Sequence, residues 1–367
     1  MGAVQKMDGM NYAPESAGKK MVAVQPGEFR FSALGLDHGH IYGQTNGILE
    51  AGGTLVSVYD DDSEKVKKYI ERYPGTKAAS CAEEIIADPS IQMIASSIRP
   101  DKRAALGIRV MNAGKDYFAD KPGMLSHAEI NAVRTACAAT GKRYFVYFAE
   151  RLHVESALYA GNLIQEGAIG RVIHLTILAP HRLAAETRPD WHWNVSQGGG
   201  ILNDIGSHQF EQFLTYASAK SARISKSHLA NYNTPDHPGF FDYGDCSLIA
   251  DNGATGYARL DWFTPRGLST WGDGRVFIIG TEGTIEIRKY LEVGISPEGD
   301  HVYLVNKDGE QRIEAHGKTG FPFFANMVRD CIDRSDTAMA QEHILEVMRL
   351  SVEAQEAAEV IPQSGLS

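Results

Sequence analysis

The sequence predicts an α/β chain: a doubly wound parallel sheet in the first 150 residues, then an α+β region with a large, mostly antiparallel open sheet. Three observations carry this. Strand-like and helix-like segments alternate strictly up to about residue 150. The rhythm then changes to a run of short strands. Several of those strands are joined by tight turns such as Asp251-Asn252-Gly253 and Thr281-Glu282-Gly283, which suit antiparallel neighbours. At 367 residues the chain exceeds the usual size of one core, so two domains are expected, divided near residue 150 and preceded by an arm over 1–28.

In the first domain, 29–150, strands are predicted at Phe29–Leu34, Thr54–Asp60, Gln92–Ile98, Asp116–Ala119 and Arg143–Phe148. Helices over Ile41–Ala51, Ser63–Tyr73, Lys102–Ala113 and Ser126–Thr140 separate them, with nothing assigned between Tyr73 and Gln92. Residues 1–28 mix Gly, Pro, Ser and Lys without periodicity and read as a loose arm, or as one ordered by a partner subunit. In the second domain, 151–367, helices at Val154–Gln165 and Ile201–Ser218 bracket a strand at Val172–Ala179. Strands follow at Arg223–Ala230, Asp245–Ala250, Thr255–Phe263, Val276–Gly280, Thr284–Arg288, Val302–Asn306 and Gln311–Ala315. Helices at Phe321–Asp333 and Gln341–Val360 close the chain, and in the second Ile344, Leu345, Met348 and Val352 form an apolar stripe that reads as core.

Composition narrows the partners. A formal charge of -10, from 46 acidic against 36 basic residues, gives no basic footprint for nucleic acid or anionic lipid. The four cysteines are widely spaced with no C-x-x-C pair, which points to reduced structural thiols. There is no signal-like start and no long apolar run, so the expectation is a cytoplasmic protein without a membrane partner.

Three motifs carry chemistry. The first strand runs into Gly35-Leu36-Asp37-His38-Gly39-His40, a turn between strand and helix that can aim backbone N–H groups at a phosphate. Gly35 and Gly39 suit that role, but a full G-x-G-x-x-G has glycine where Asp37 and His40 stand. Asp37 would repel a pyrophosphate if it pointed inward, so it is expected to cap the following helix. His38 and His40 can donate to phosphate, or cap and pack. Asp60, 25 residues after Gly35 at the end of the second strand, sits where an acid binds adenosine ribose hydroxyls, or it is a turn acid like Asp61 and Asp62.

The second motif is Asp120-Lys121-Pro122, at the carboxyl end of a parallel strand, where such sheets bind ligands. The third is Gly198-Gly199-Gly200-Ile201-Leu202-Asn203-Asp204-Ile205-Gly206-Ser207-His208. On a helix, Asp204 and His208 share one face, as a carboxylate orienting an imidazole would. Between these motifs, Pro180-His181-Arg182 and Arg188-Pro189-Asp190-Trp191-His192-Trp193 offer hydrogen-bonding and aromatic groups suited to a hydroxyl-rich ring, or a loop in which the tryptophans fill a seam.

In this order the three motifs resemble the glucose-fructose oxidoreductase and inositol dehydrogenase (Gfo/Idh/MocA) family, whose members carry E-K-P and G-G-G-x-L-x-D-x-G-x-H segments. The resemblance runs from Phe29 almost to the end, including the segment at Arg151 and the turn Gly280-Thr281-Glu282-Gly283. It implies a Rossmann-like domain for NAD, with NADP less favoured given Asp60, and a substrate domain whose open sheet mediates a homo-oligomer, a dimer or tetramer. By position it implies Lys121, Asp204 and His208 as catalytic residues. It gives Gly35, Asp37, His38, Gly39, His40, Asp60, Ser97, Arg99 and Lys121 as the cofactor set, and Arg151, His181, Arg182 and Trp191 as the substrate set. The chain departs from the pattern at Asp120, which replaces Glu, at Asp37, and at Ala149-Glu150, where many members have a polar cofactor contact at the first position.

The implied activity is hydride transfer between a secondary hydroxyl of a sugar, glycoside or polyol and the nicotinamide. His208 would serve as acid/base, Lys121 would stabilise the oxygen, and Asp204 would hold a neighbouring hydroxyl or the imidazole. Two rivals use the same residues differently: a redox-neutral glycosidase working by transient oxidation and elimination, and a dinucleotide-binding sensor without turnover. No catalytic metal is expected, because there is no H-E-x-x-H and His38 and His40 lack an evident third ligand in sequence.

Overall fold

A computed structural model describes residues 13, 14, 18 and 20–362. In chain order the first elements are β1 (Arg30–Leu34), α1 (His40–Glu50), β2 (Thr54–Tyr59), α2 (Ser63–Arg72), β3 (Lys77–Ala78), α3 (Ala82–Ala87) and β4 (Met93–Ser96). They continue with α4 (Pro100–Asn112), β5 (Asp116–Asp120), α5 (His127–Thr140) and β6 (Tyr144–Tyr147). The six strands form one parallel sheet in the order β3-β2-β1-β4-β5-β6, so the strand order reverses between β1 and β4. Strands buried on both faces explain the continuous apolar runs: β4, β5 and β6 are buried at every residue. The short β3 and α3, absent from the sequence reading, fill the connection between β2 and β4.

The later elements are α6 (Ala149–Leu152), α7 (Glu155–Gln165), β7 (Val172–Pro180), α8 (Val195–Gly198), α9 (Ile201–Asp204), α10 (Gly206–Tyr216), β8 (Ala222–Ala230), β9 (Tyr243–Ala250) and β10 (Thr255–Asp261). After them come β11 (Arg275–Gly280), β12 (Gly283–Arg288), β13 (His301–Asn306), β14 (Gly309–Glu314), α11 (Pro322–Asp333), α12 (Gln341–Glu356) and β15 (Glu359–Val360). Nine strands form a mixed sheet, β14-β13-β12-β11-β7-β10-β9-β8-β15, antiparallel except where β7 pairs β10 and β8 pairs β15. Burial alternates along β9 and β11, the mark of a sheet with one covered face. Among the described residues no helix is long and apolar enough to cross a membrane.

The chain forms two compact units. One runs to Tyr147 and resumes for Gly320–Leu345; the other comprises Phe148–Thr319 and resumes at Glu346. The closing helices therefore do not belong wholly to the second domain, as the sequence reading had them. Phe323 and Phe324 of α11 pack on Phe118 of β5, with ring centroids 5.9 and 6.3 Å away.

Three further expectations change. The last helix stops at Glu356, and Glu359–Val360 adds a strand to the edge of the nine-stranded sheet opposite His228 and Leu229. The helix predicted over Ile201–Ser218 is two pieces, because the His208 N–H bonds Ile205 O (3.1 Å), a tighter turn than the α-helical one. Much of the expected arm lies outside the described residues, but its end is not loose: Ala23 N–H donates to Ala51 O (2.8 Å), and Val24 is buried.

Gly47 shows how tightly the first unit packs. A Cβ there would lie 2.2–2.4 Å from ring carbons of Phe324. Gly47→Ala should therefore lower stability by about 1–3 kcal/mol through overpacking, outweighing the roughly 1 kcal/mol that alanine gains over glycine inside a helix. Urea unfolding checks this, with partial recovery expected when Phe324→Leu is added; a single variant as stable as the parent would contradict the packing.

Candidate active site

In the first unit the turn after β1 is stitched to both neighbouring strands. Gly35 N–H donates to Tyr59 O (2.9 Å), Ser97 N–H to Gly35 O (3.0 Å) and His38 N–H to Ser97 O (3.0 Å). Gly35 has φ +80°, and a Cβ on it would stand 2.6 Å from Ile98 Cβ, so only glycine fits. The Asp60 carboxylate braces the turn from β2, accepting Leu36 N–H (2.6 Å) and Asp62 N–H (2.9 Å). Ser97 is a buried framework residue whose hydroxyl donates to Gln44 Oε1 (2.7 Å), and the Arg99 guanidinium pairs with Asp101 (2.7 Å).

Asp37 does not cap α1. Its two oxygens take the Lys65 ammonium (2.6 Å) and the Arg99 N–H (2.9 Å), partners 28 and 62 residues away that local capping rules do not anticipate. The repulsion feared at the phosphate turn is thus offset by Lys65, which also lies 3.8 Å from Asp60. With a glycine turn at the point where strand order reverses and no acid in the first turn of α1, this corner has the chemistry to hold a phosphate-linked ligand.

Below the turn lies a buried polar cluster around Asp120, the last residue of β5. Its carboxylate meets His40 Nδ1 (2.8 Å), His38 Nδ1 (3.2 Å), the Lys121 N–H (2.7 Å) and the fully buried Arg103 guanidinium (3.2 Å). Arg103 also donates to Ile98 O (2.6 Å), Pro122 O (3.1 Å) and Lys121 O, fixing the cis Lys121–Pro122 corner. Lys121 itself is nearly buried. Burial would push the Asp120 carboxyl up, but His40, Arg103 and His38 outweigh it and hold it well below the usual range. Burial, then His40, pushes His38 well below its usual value despite Asp120, so its ring is neutral. The third ligand that the sequence did not show for His38 and His40 is Asp120, and the three form a metal-type donor set. Arg103 and Lys121 place positive charge on the same corner, which opposes a cation.

In the second unit the glycine run sets the path into α9. Gly199 and Gly200 have φ +91° and +77°, and a Cβ on Gly200 would meet the Gln355 amide at 2.7 Å. Gln355 Oε1 in turn accepts Leu202 N–H (3.1 Å). Asp204 ends α9 half-buried, while His208 in α10 is buried with its ring edge-on to Phe148, centroids 6.4 Å apart. The pair is therefore split across a break in the helix.

The sequence reading missed the centre of this site. Glu150 of α6 is buried and pairs with the equally buried Lys289, which follows β12, at 3.0 Å. Its other oxygen faces His181 Nε2 at 3.5 Å. Burial alone would raise the Glu150 carboxyl, but Lys289, His208 and His181 overcome this and hold it below the usual carboxylate range. Burial lowers the Lys289 ammonium from its usual value against the pull of Glu150. The only local signal was Glu150 standing beside Ala149 as a departure from the family pattern; Lys289, 139 residues away, gave none.

The expected substrate residues divide. His181 joins this cluster, walled by Trp271 and Trp262 at centroid distances of 4.5 and 5.5 Å. Arg151 is committed to Glu211 (2.8 Å), and the Arg182 guanidinium donates to the carbonyls of Pro265, Leu268 and Thr270 (2.7–3.0 Å), so both act as clamps. Trp191 is half-buried on a short 3-10 turn, and Trp193 stacks on His237 with centroids 4.0 Å apart.

Residues 33–148 match the NAD-binding Rossmann fold of the GFO/IDH/MocA oxidoreductase family, and residues 158–286 match the GFO/IDH/MocA C-terminal domain. A crystal structure of a protein from Erwinia carotovora atroseptica is 47% identical, covering 91% of this chain and 100% of that one with a TM-score of 0.89. The scyllo-inositol 2-dehydrogenase (NAD(+)) of Bacillus subtilis is 25% identical over 263 residues, 71% of this chain and 74% of that protein. An oxidoreductase of Formosa agariphila is 26% identical over 168 residues, 44% of this chain, and the match spans only about half (52%) of that relative's length. The chain belongs to the GFO/IDH/MocA oxidoreductase family, and its first unit is an NAD-binding Rossmann domain.

Proposed function

We propose that this chain is an NAD-dependent dehydrogenase that oxidises a secondary hydroxyl of a sugar, glycoside or polyol, with His208 as acid/base. The observation that carries the reading is the buried His208 imidazole at the start of α10, edge-on to Phe148 within the family's C-terminal domain, a setting that suits proton acceptance from a hydroxyl. When bound, the nicotinamide supplies the hydride chemistry. His208 takes the hydroxyl proton as the carbonyl forms. Lys121 places a cation against the oxygen as charge develops there, and Asp204 holds a neighbouring hydroxyl. His181 and Trp191 contact the ring, while Arg151 and Arg182 hold the walls of that pocket. Gly35, His38, Gly39 and His40 serve the phosphates. No step needs a metal.

NAD is the preferred cofactor in this reading, because a 2′-phosphate on the adenosine ribose would meet the Asp60 carboxylate. Asp37, Ser97 and Arg99 frame that pocket. The same reading makes the protein a homo-oligomer, a dimer or tetramer. Phe277 and Ile279 of β11 and Val305 of β13 are 36–47% exposed on one face of the nine-stranded sheet, which supports burial against a second copy.

Turnover should appear as substrate-dependent NADH formation in a panel of sugars, glycosides, sugar acids and inositols, and His208→Ala should cut kcat by about 10²-fold or more. Unchanged turnover in a folded His208→Ala protein would remove the assigned base, and sugar release without net NADH would replace the dehydrogenase with the redox-neutral glycosidase. Initial rates with each cofactor should favour NAD, and Asp60→Ser should narrow that preference at least several-fold; a parent enzyme that favours NADP contradicts the role of Asp60. Light scattering on the eluting protein should give a dimer or larger, whereas a monomer at every concentration would contradict association through the sheet face.

A further inference from the structure

The β13–β14 hairpin brings together residues that the sequence keeps apart. His301 stands opposite Glu314 in the antiparallel register, so Asp300 and Ala315 meet one step beyond, where Ala315 N–H donates to Asp300 O (2.7 Å). That closure sets His316 beside Asp300 at the open end of the hairpin, and Glu155, the first residue of α7, completes the group. His316 Nδ1 lies 3.6 Å from Glu155 Oε2 and 3.6 Å from Asp300 Oδ2, and the three donor atoms all fall within 4.8 Å of one another. A separation of 3.6 Å is too long for a good hydrogen bond. It is close to the spacing of about 3.4 Å that a tetrahedral zinc ion, with ligands at about 2.0–2.1 Å, imposes on its donors. Neutral donors orient both carboxylates without cancelling their charge. Asp300 Oδ1 accepts Ser156 N–H (2.8 Å), which turns Oδ2 toward the imidazole. Glu155 Oε1 accepts Thr319 N–H (3.1 Å), and Gly317 N–H donates to Oε2, an oxygen that can serve two partners at once. Fixed hydrogen bonds of this kind are what orient ligating carboxylates around metals. The Glu155 and Asp300 side chains are 3% and 22% exposed and the His316 imidazole 67%, so the group has a held floor and an open side by which an ion can enter. The comparable set in the first unit differs, because Arg103 stands 3.2 Å from Asp120 there. An ion pair alone is a thin account of the cluster, since an imidazolium this exposed adds little in water.

We propose that Glu155, Asp300 and His316 form a binding site for a divalent transition-metal ion, zinc by its donor set, which staples the start of α7 to the open end of the β13–β14 hairpin. Two carboxylate oxygens and one imidazole nitrogen supply three ligands and two negative charges, and water takes the fourth position. An imidazole among the donors favours zinc over magnesium, which is bound through oxygen and keeps most of its water. The site is structural. The proposed hydride transfer uses none of these three residues, so the two readings stand or fall separately.

The test titrates the chelator-treated full chain with zinc chloride in a calorimeter. The parent should take up one ion that His316→Ala loses or binds at least about tenfold more weakly. Asp300→Asn removes one ligand charge while keeping a residue type that tolerates the φ of +58° at this position, and it should weaken binding by a similar factor. In melting scans zinc should raise the Tm of the parent by about 2 °C or more, with the gain lost in both variants. Zinc held by other histidines persists in His316→Ala, so equal affinity and an equal Tm gain in the parent and the folded His316→Ala protein overturn the proposal. A parent that takes up no zinc at micromolar concentration overturns it as well.

Discussion

One buried carboxylate, Asp120, holds the first unit's ligand corner in shape. It gathers two imidazoles from the β1–α1 turn, a guanidinium from α4 and the backbone of Lys121, so three segments far apart in sequence share a single acceptor. Desolvating that charge is affordable only because every side of it meets a donor. Loss of any one partner leaves the others around an undercompensated buried ion. The same carboxylate explains why Lys121 emerges at the carboxyl end of β5 with a fixed backbone: Arg103 binds Asp120 through one nitrogen and the Lys121–Pro122 carbonyls through another.

The second unit repeats this solution with a different partner. Glu150 is a buried carboxylate stabilised by a buried ammonium, and the His181 imidazole lies toward its other oxygen. In each unit a charge that would be costly alone becomes a rigid reference point for neighbouring titratable groups. The rings differ in consequence. His38, among Arg103, Lys121 and His40, is held neutral, while His181 faces a carboxylate. The first arrangement suits hydrogen bonding at fixed charge; the second suits a proton that comes and goes.

Much of the fold was legible because it is local. Alternating segments up to about residue 150 and turn-linked short strands beyond it announce two sheets, and all six strands of the parallel sheet but the two-residue β3 were read within a few residues of their observed bounds. What escaped was set by partners distant in sequence. Residues 320–345 belong to the first unit, where Phe323 and Phe324 pack on Phe118, a partner some 200 residues away that no local pattern names. Asp37 was placed as a cap by local rules and instead answers Lys65 and Arg99. The sequence picked out the glycine turn, Asp60, Lys121 and His208 as candidates, but Arg103, Glu150 and Lys289 look like ordinary polar residues until the fold buries them. Arg151 was read as ligand-binding from the family resemblance and Arg182 from its chemistry, and the fold engages both guanidiniums with protein acceptors.

The central claim is that a hydride leaves a secondary carbinol carbon for the cofactor while this chain manages only the proton. It is tested most directly by supplying a turned-over substrate that carries deuterium on that carbon, with NAD, and examining the reduced cofactor by mass spectrometry and NMR. The account predicts deuterium at the nicotinamide C4 position in a single stereochemical orientation, with a primary isotope effect on the chemical step. Deuterium released to water, with none in the cofactor, would contradict it.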